Sequence, residues 1–122
     1  MHRYWSDLIR AENEMPFADD VNLSQLPALA GNLLLIDVFA KPQRFRFNHL
    51  GQELIHRAGE NVNGRFADEV ELRGLFQFFI AQASATVEAR APTWYSGRSG
   101  YARVLLPTWG DGRIELLLGA IA

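Results

Sequence analysis

The chain has 122 residues, 48% of them hydrophobic and 21% charged, with a net charge of −2, which fits one domain with its own core. Its twelve Lys and Arg are scattered, so the basic stripe of a nucleic-acid binder is missing, and the absence of cysteine excludes a disulfide scaffold, a thiolate nucleophile and a Cys-ligated metal. No apolar run approaches the ~20 residues of a membrane span and Met1 to Asp7 lack the apolar stretch of a signal peptide, so a cytoplasmic protein is expected.

From the N-terminus, Tyr4, Trp5, Leu8 and Ile9 fall on one stripe of a helix over Tyr4 to Glu12. Met15-Pro16 cannot extend it. Pro16 to Ala30 connects, and Ser24 is a candidate cap for a short turn over Gln25 to Ala30. Asn32 to Phe39 is a bounded apolar run, the pattern of a strand buried on both faces. Lys41-Pro42-Gln43 is a turn, and Arg44 to Leu50 alternates, with Phe45, Phe47 and His49 on one face and Arg44, Arg46 and Asn48 on the other. The short connection makes these two strands antiparallel.

Gln52 to Ala58 has helical spacing with Gly59 as its stop. Arg65 to Val70 is a further short turn. Leu72, Leu75, Phe76, Phe79, Ile80, Ala83 and Val87 follow the 3.6-residue period and predict one long helix from Leu72 to Arg90, ended by Pro92. Three strands follow: Thr93 to Gly97, Tyr101 to Trp109 and Arg113 to Ile121. On the second, Tyr101, Arg103 and Leu105 share a face; on the third, Ile114, Leu116 and Leu118 do. Gly110-Asp111-Gly112 between them is a hairpin signal.

The order of these elements resembles a PAS domain, and the local wording is similar to a bacterial family of single-domain PAS-like proteins. The matching pieces are Tyr4-Trp5 with Leu8, Met15-Pro16, Leu33 to Val38, Arg44 to Phe47 leading to Gly51, Asn63-Gly64-Arg65, Leu105-Leu106-Pro107 and Leu117-Leu118-Gly119. Phe17-Ala18 departs from the Arg usual after the Met-Pro pair, and Gln52 from the small hydroxyl residue usual there. The resemblance implies an α+β fold: a five-stranded antiparallel sheet with helices on one face that enclose a small cavity against it, residues 31–122 as the core, and an N-terminal cap helix and connection over residues 1–30. It also implies a non-catalytic sensory module of bacterial signal transduction that binds a small molecule, a sensor kinase or response regulator, or both, and pairs as a homodimer through its cap helix. Within that layout the ligand-pocket candidates are Phe45, Phe47, His49, Phe76, Phe79, Tyr101 and Leu116. Tyr4, Trp5, Leu8, Ile9, Trp94 and Trp109 are the interface candidates. The cofactor is unknown: the axial His of haem-binding relatives comes from the long helix, which has none here, and Cys-linked flavin has no attachment residue.

Two other readings stand beside this one. Asp37 interrupts an apolar strand and needs a partner such as Arg46 or Arg103. With His49 and Tyr101 it could supply the Asp or His base and the Tyr donor of a small cone-shaped isomerase or dehydratase, provided the three converge. A purely structural dimerisation module, built on the Tyr4/Trp5/Leu8/Ile9 stripe, is the third. Gly97 to Gly100 and Gly110 to Gly112 precede no helix, so they read as turns and not as phosphate loops, and no metal site is expected.

Overall fold

The computed structural model describes residues 2–7, 15–22, 25, 29–97 and 100–122. In chain order come α1 (His2–Asp7), β1 (Leu33–Phe39), β2 (Arg44–Leu50), α2 (Gln52–Ala58), α3 (Phe79–Ala89), β3 (Thr93–Ser96), β4 (Ala102–Gly110) and β5 (Arg113–Ile121), with single 3₁₀ turns at Ala18–Asp20, Ala30–Asn32, Ala67–Glu69 and Gly74–Phe76. The five strands form one antiparallel sheet in the order β2-β1-β5-β4-β3. This is the expected α+β architecture. Its centre is β1 against β5, so the first and last strands of the chain are neighbours.

Strand register decides which face each side chain takes. Val38 lies opposite Phe45 and Ile36 opposite Phe47. Ile36 also faces Leu117, and Leu34 faces Gly119. On β4, Leu105 and Arg103 continue this inner face, opposite Gly119 and Ile121. Leu54 of α2, Phe76, and Phe79 and Ala83 of α3 close over it as part of one core. The outer face carries Asp37 with Arg46, Leu35 with Leu118, Leu106, and Trp94 opposite Val104. Here α1 lies: the His2 ring is 5.9 Å from Trp94, and the Trp5 indole donates to the Pro107 carbonyl at 2.6 Å. Beyond the short β3, Phe17 pairs with Trp109 and lengthens the edge.

Two bulges correct the expected faces. Ile36 pairs with Phe47 but Leu35 with His49, so Asn48 is an extra residue on β2. An extra residue reverses the alternation, and His49 is therefore exposed on the outer face instead of continuing the Phe45/Phe47 row. On β5, Thr108 pairs with Leu116 and Trp109 with Ile114, leaving Glu115 extra. Leu116 stays outside with Leu118, beside Asp37, because β5 turns that row away from the inner face, and the bulge moves only Ile114 inward.

The long helix is also shorter than its apolar period. Only Phe79–Ala89 is α-helical, and the residues before it turn at Gly74 (φ +58) and Phe78 (φ +58). Left-handed residues cannot propagate a right-handed helix. The apolar spacing of Leu72, Leu75 and Phe76 survives because they still pack against the core, through a 3₁₀ turn rather than an α-helix. At the other end Arg90 closes α3 at φ +55, two residues before Pro92. The boundaries of β2, α2 and β5 are as expected, those of β1, β3 and β4 shift by one residue and α1 begins two residues earlier, at His2; α2 ends on Gly59 (φ +79), and Asp111-Gly112, both at positive φ, turn β4 into β5. For α1, Leu8 to Glu12 of the expected helix lies outside the described residues, as does the Ser24 cap.

Candidate functional site

Five of the seven pocket candidates come together. Phe45, Phe47, Phe76, Phe79 and Tyr101 are all buried in the core. The Phe47 ring lies 5.2 Å from Phe76 and 5.3 Å from Phe79, and Phe76 meets Phe79 edge-on at 6.3 Å. These rings pack on one another between the sheet and α3 and fill the space where a cavity is expected. His49 and Leu116 belong to the other face and take no part.

Beside the aromatic stack the inner face turns polar. Arg103 is the largest wholly buried side chain described. Its Nε donates to Gln82 Oε1 at 2.6 Å, one terminal nitrogen to the Leu75 carbonyl at 2.6 Å and the other to the Gln77 carbonyl at 2.9 Å. Every one of these acceptors is neutral. Phe79 and Tyr95 flank the guanidinium, their ring centres 5.4 and 4.9 Å away. Burial holds the guanidinium below the usual arginine range, because removal from water disfavours the charged form. The Tyr101 hydroxyl donates to the Gly74 carbonyl at 2.8 Å, and burial, opposed by the Arg103 charge, raises its pKa.

A second tier positions these groups. The Gln82 amide donates to the Thr93 carbonyl, to Thr93 Oγ1 and to the Arg103 carbonyl, so its oxygen can point only at the guanidinium. Thr86 and Thr93 share a 2.6 Å hydrogen bond. Gly97 makes room for the phenol: a Cβ there would lie 2.2 Å from the Tyr101 ring. The arrangement binds oxygen acceptors and orients them. From the sequence Arg103 is expected on the Tyr101 and Leu105 face, but only as a candidate partner for Asp37 and not as a ligand-pocket residue. The signal was there, since a strand face flanked by core residues carried an arginine. Tyr95 and Gln82 gave no such signal, because their roles come from packing across three elements.

The outer face holds a different cluster. The Arg46 guanidinium donates to Asp37 Oδ2 at 2.8 and 3.0 Å, and the Asn48 amide joins at 3.1 Å. Asp37 thus finds its partner in Arg46, not Arg103. With Asp37 and His49 outside and Tyr101 inside, the three groups of the isomerase-like reading do not converge.

Of the interface candidates, Trp5 is only 5% exposed and packs on its own sheet, whereas Trp94 is 65% exposed beside α1. Trp109 turns the other way, with the Arg90 guanidinium 4.9 Å from its ring centre. It helps to line a surface cleft of about 360 Å³ with Phe17, Asp19, Asp20, Gly110 and Asp111. The Tyr4 side chain, Leu8 and Ile9 lie outside the described residues. Among the described residues no cluster of His, Asp and Glu is arranged to hold a metal, and no helix is long and apolar enough to cross a membrane. Comparison with protein-family models, with curated proteins and with solved structures finds no match to this chain.

Proposed function

We propose that this chain is a non-catalytic, cytoplasmic regulatory module of the PAS kind, taking a small molecule between α3 and the inner face of the sheet. A sensor kinase or response regulator then reads the bound state. One observation supports the reading above others: a buried arginine, two tyrosines and a glutamine stand next to an aromatic stack on the face that α3 covers. The linings of ligand pockets combine apolar walls with a few placed polar groups in this way, and a ligand enters here only by displacing side chains or backbone that fill the space in this structure. A buried charge and its polar neighbours are also costly to keep where packing is the sole requirement, since apolar replacements of similar shape are often as stable or more so.

Thermal shift and native mass spectrometry of the full chain against a library of small metabolites test the first half. At least one compound is expected to raise Tm and to travel with the protein as a one-to-one complex. A library in which none does so, tested at millimolar concentrations, overturns small-molecule sensing.

A further inference from the structure

The inner-face arginine is covered by a short strap, residues 74–78, that lends it backbone oxygens. Gly74 accepts from the Tyr101 hydroxyl, and Leu75 and Gln77 accept from the two ends of the guanidinium fork. Both ends of the strap are left-handed, at Gly74 and Phe78. That conformation is unfavourable for a bulky residue such as phenylalanine. The Phe78 side chain is 62% exposed and touches the protein edge-on at Tyr95. Peptide carbonyls satisfy the hydrogen-bonding geometry of a guanidinium but not its charge, and burying a charge uncompensated is costly. No carboxylate among the described residues pairs with Arg103; the ionisable side chains beside it are the phenols of Tyr101 and Tyr95, neutral near pH 7. Three of the five N–H groups of the fork are used.

We infer that Arg103 and Tyr101 form a recognition site for a small organic carboxylate, which the 74–78 strap covers and mimics in the ligand-free chain. The carboxylate takes the bidentate position on the two terminal nitrogens and accepts from the Tyr101 hydroxyl, displacing the strap carbonyls. Gln82 keeps the fork in plane through Nε. The strap swings at Gly74 and Phe78, and the Phe78 ring, now held at the surface, is free to cover the apolar part of the ligand. A carboxylate is favoured over a point anion because the planar fork and a single hydroxyl match two coplanar oxygens. This inference rests on the small-molecule reading above and names the class of ligand.

The test uses benzoate and phenylacetate with the full chain at constant ionic strength, against benzamide and phenylacetamide, their neutral counterparts. The carboxylates are expected to raise Tm by mass action and the amides to leave it unchanged. Tyr101→Phe keeps the ring and removes the donor. Because the charge-assisted bond to the ligand is stronger than the neutral one to Gly74 that it replaces, the variant is expected to weaken carboxylate binding about fivefold while the chain stays folded. Hydrogen exchange of the 74–78 amides is expected to change on adding carboxylate in the wild type. Equal shifts from acids and amides, or carboxylate binding untouched by Tyr101→Phe, overturn the inference. So does a neutral metabolite that binds while the carboxylates do not, an outcome that leaves small-molecule sensing standing. Silence from every compound, metabolite library included, overturns both.

Discussion

Tyr101 couples the inner-face polar group to alkaline pH. Its phenol is more acidic in the unfolded chain than in the folded one, because burial disfavours the phenolate. The folded state therefore holds the proton to higher pH. Stability from this residue is fully present below its ordinary value of 10.0 and is lost as pH rises through the raised one. Urea unfolding from about pH 8 to about pH 11 should show a steeper loss in the wild type than in Tyr101→Phe. The variant should also start about 1 kcal/mol lower, having lost the hydrogen bond to Gly74; equal slopes in the two proteins would remove Tyr101 from this role. At this scale the sequence was readable where an interaction is local or strictly alternating. Arg46 was a foreseeable partner for Asp37 because adjacent strands bring opposite charges together. His49 was not placeable, because its face depends on an extra residue visible only in the pairing of two strands.

Elements were legible where punctuation is strong. Gly59 stops α2 and Asp111-Gly112 turns the last hairpin, each through a backbone conformation that few other residues adopt. The 72–90 segment misled because its apolar period is real, while Gly74 and the strained Phe78 interrupt the hydrogen-bond ladder without disturbing that period. Gly51 marks the start of α2 for a different reason. Its φ of −63° suits any residue, yet a Cβ there would sit 2.3 Å from the Ala30 carbonyl oxygen and 2.5 Å from the Gly31 carbonyl carbon. Backbone cannot yield as a side-chain tip does, so Gly51→Ala should cost about 1–3 kcal/mol or more. Gly59→Ala meets nothing within 4 Å at φ +79, and should cost only the left-handed strain of about 1–2 kcal/mol. Urea midpoints of the two variants should rank Gly51→Ala as the weaker protein, and the opposite ranking would mean that the contact between Gly51 and the 30–31 backbone relaxes at little cost.

The whole molecule is a sheet with two unlike covers. On one face α2 and α3 bury the aromatic and arginine groups; on the other α1 seals part of a surface that still shows Trp94. If the proposed ligand binds under α3, β3 and β4 offer a route across the sheet to the outer face. Tyr95 and Arg103 point inward there, while their neighbours Trp94 and Val104 point outward. Trp5 of α1 and Trp94 of β3 differ sharply in exposure, 5% against 65%. Trp5→Ala removes a buried indole and its bond to Pro107, and should destabilise the fold by about 3 kcal/mol or more, lowering Tm by roughly 10 °C or more in a chain of this size. Trp94→Arg changes an exposed residue, and should leave stability within about 0.5 kcal/mol. If the outer face is where a second copy or a signalling partner docks, Trp94→Arg alone should abolish the association, since an exposed aromatic makes the kind of anchor on which an interface depends. Sedimentation velocity and partner capture, run on protein with an unaltered unfolding midpoint, measure this directly. Association that survives Trp94→Arg intact would move the docking surface away from β3.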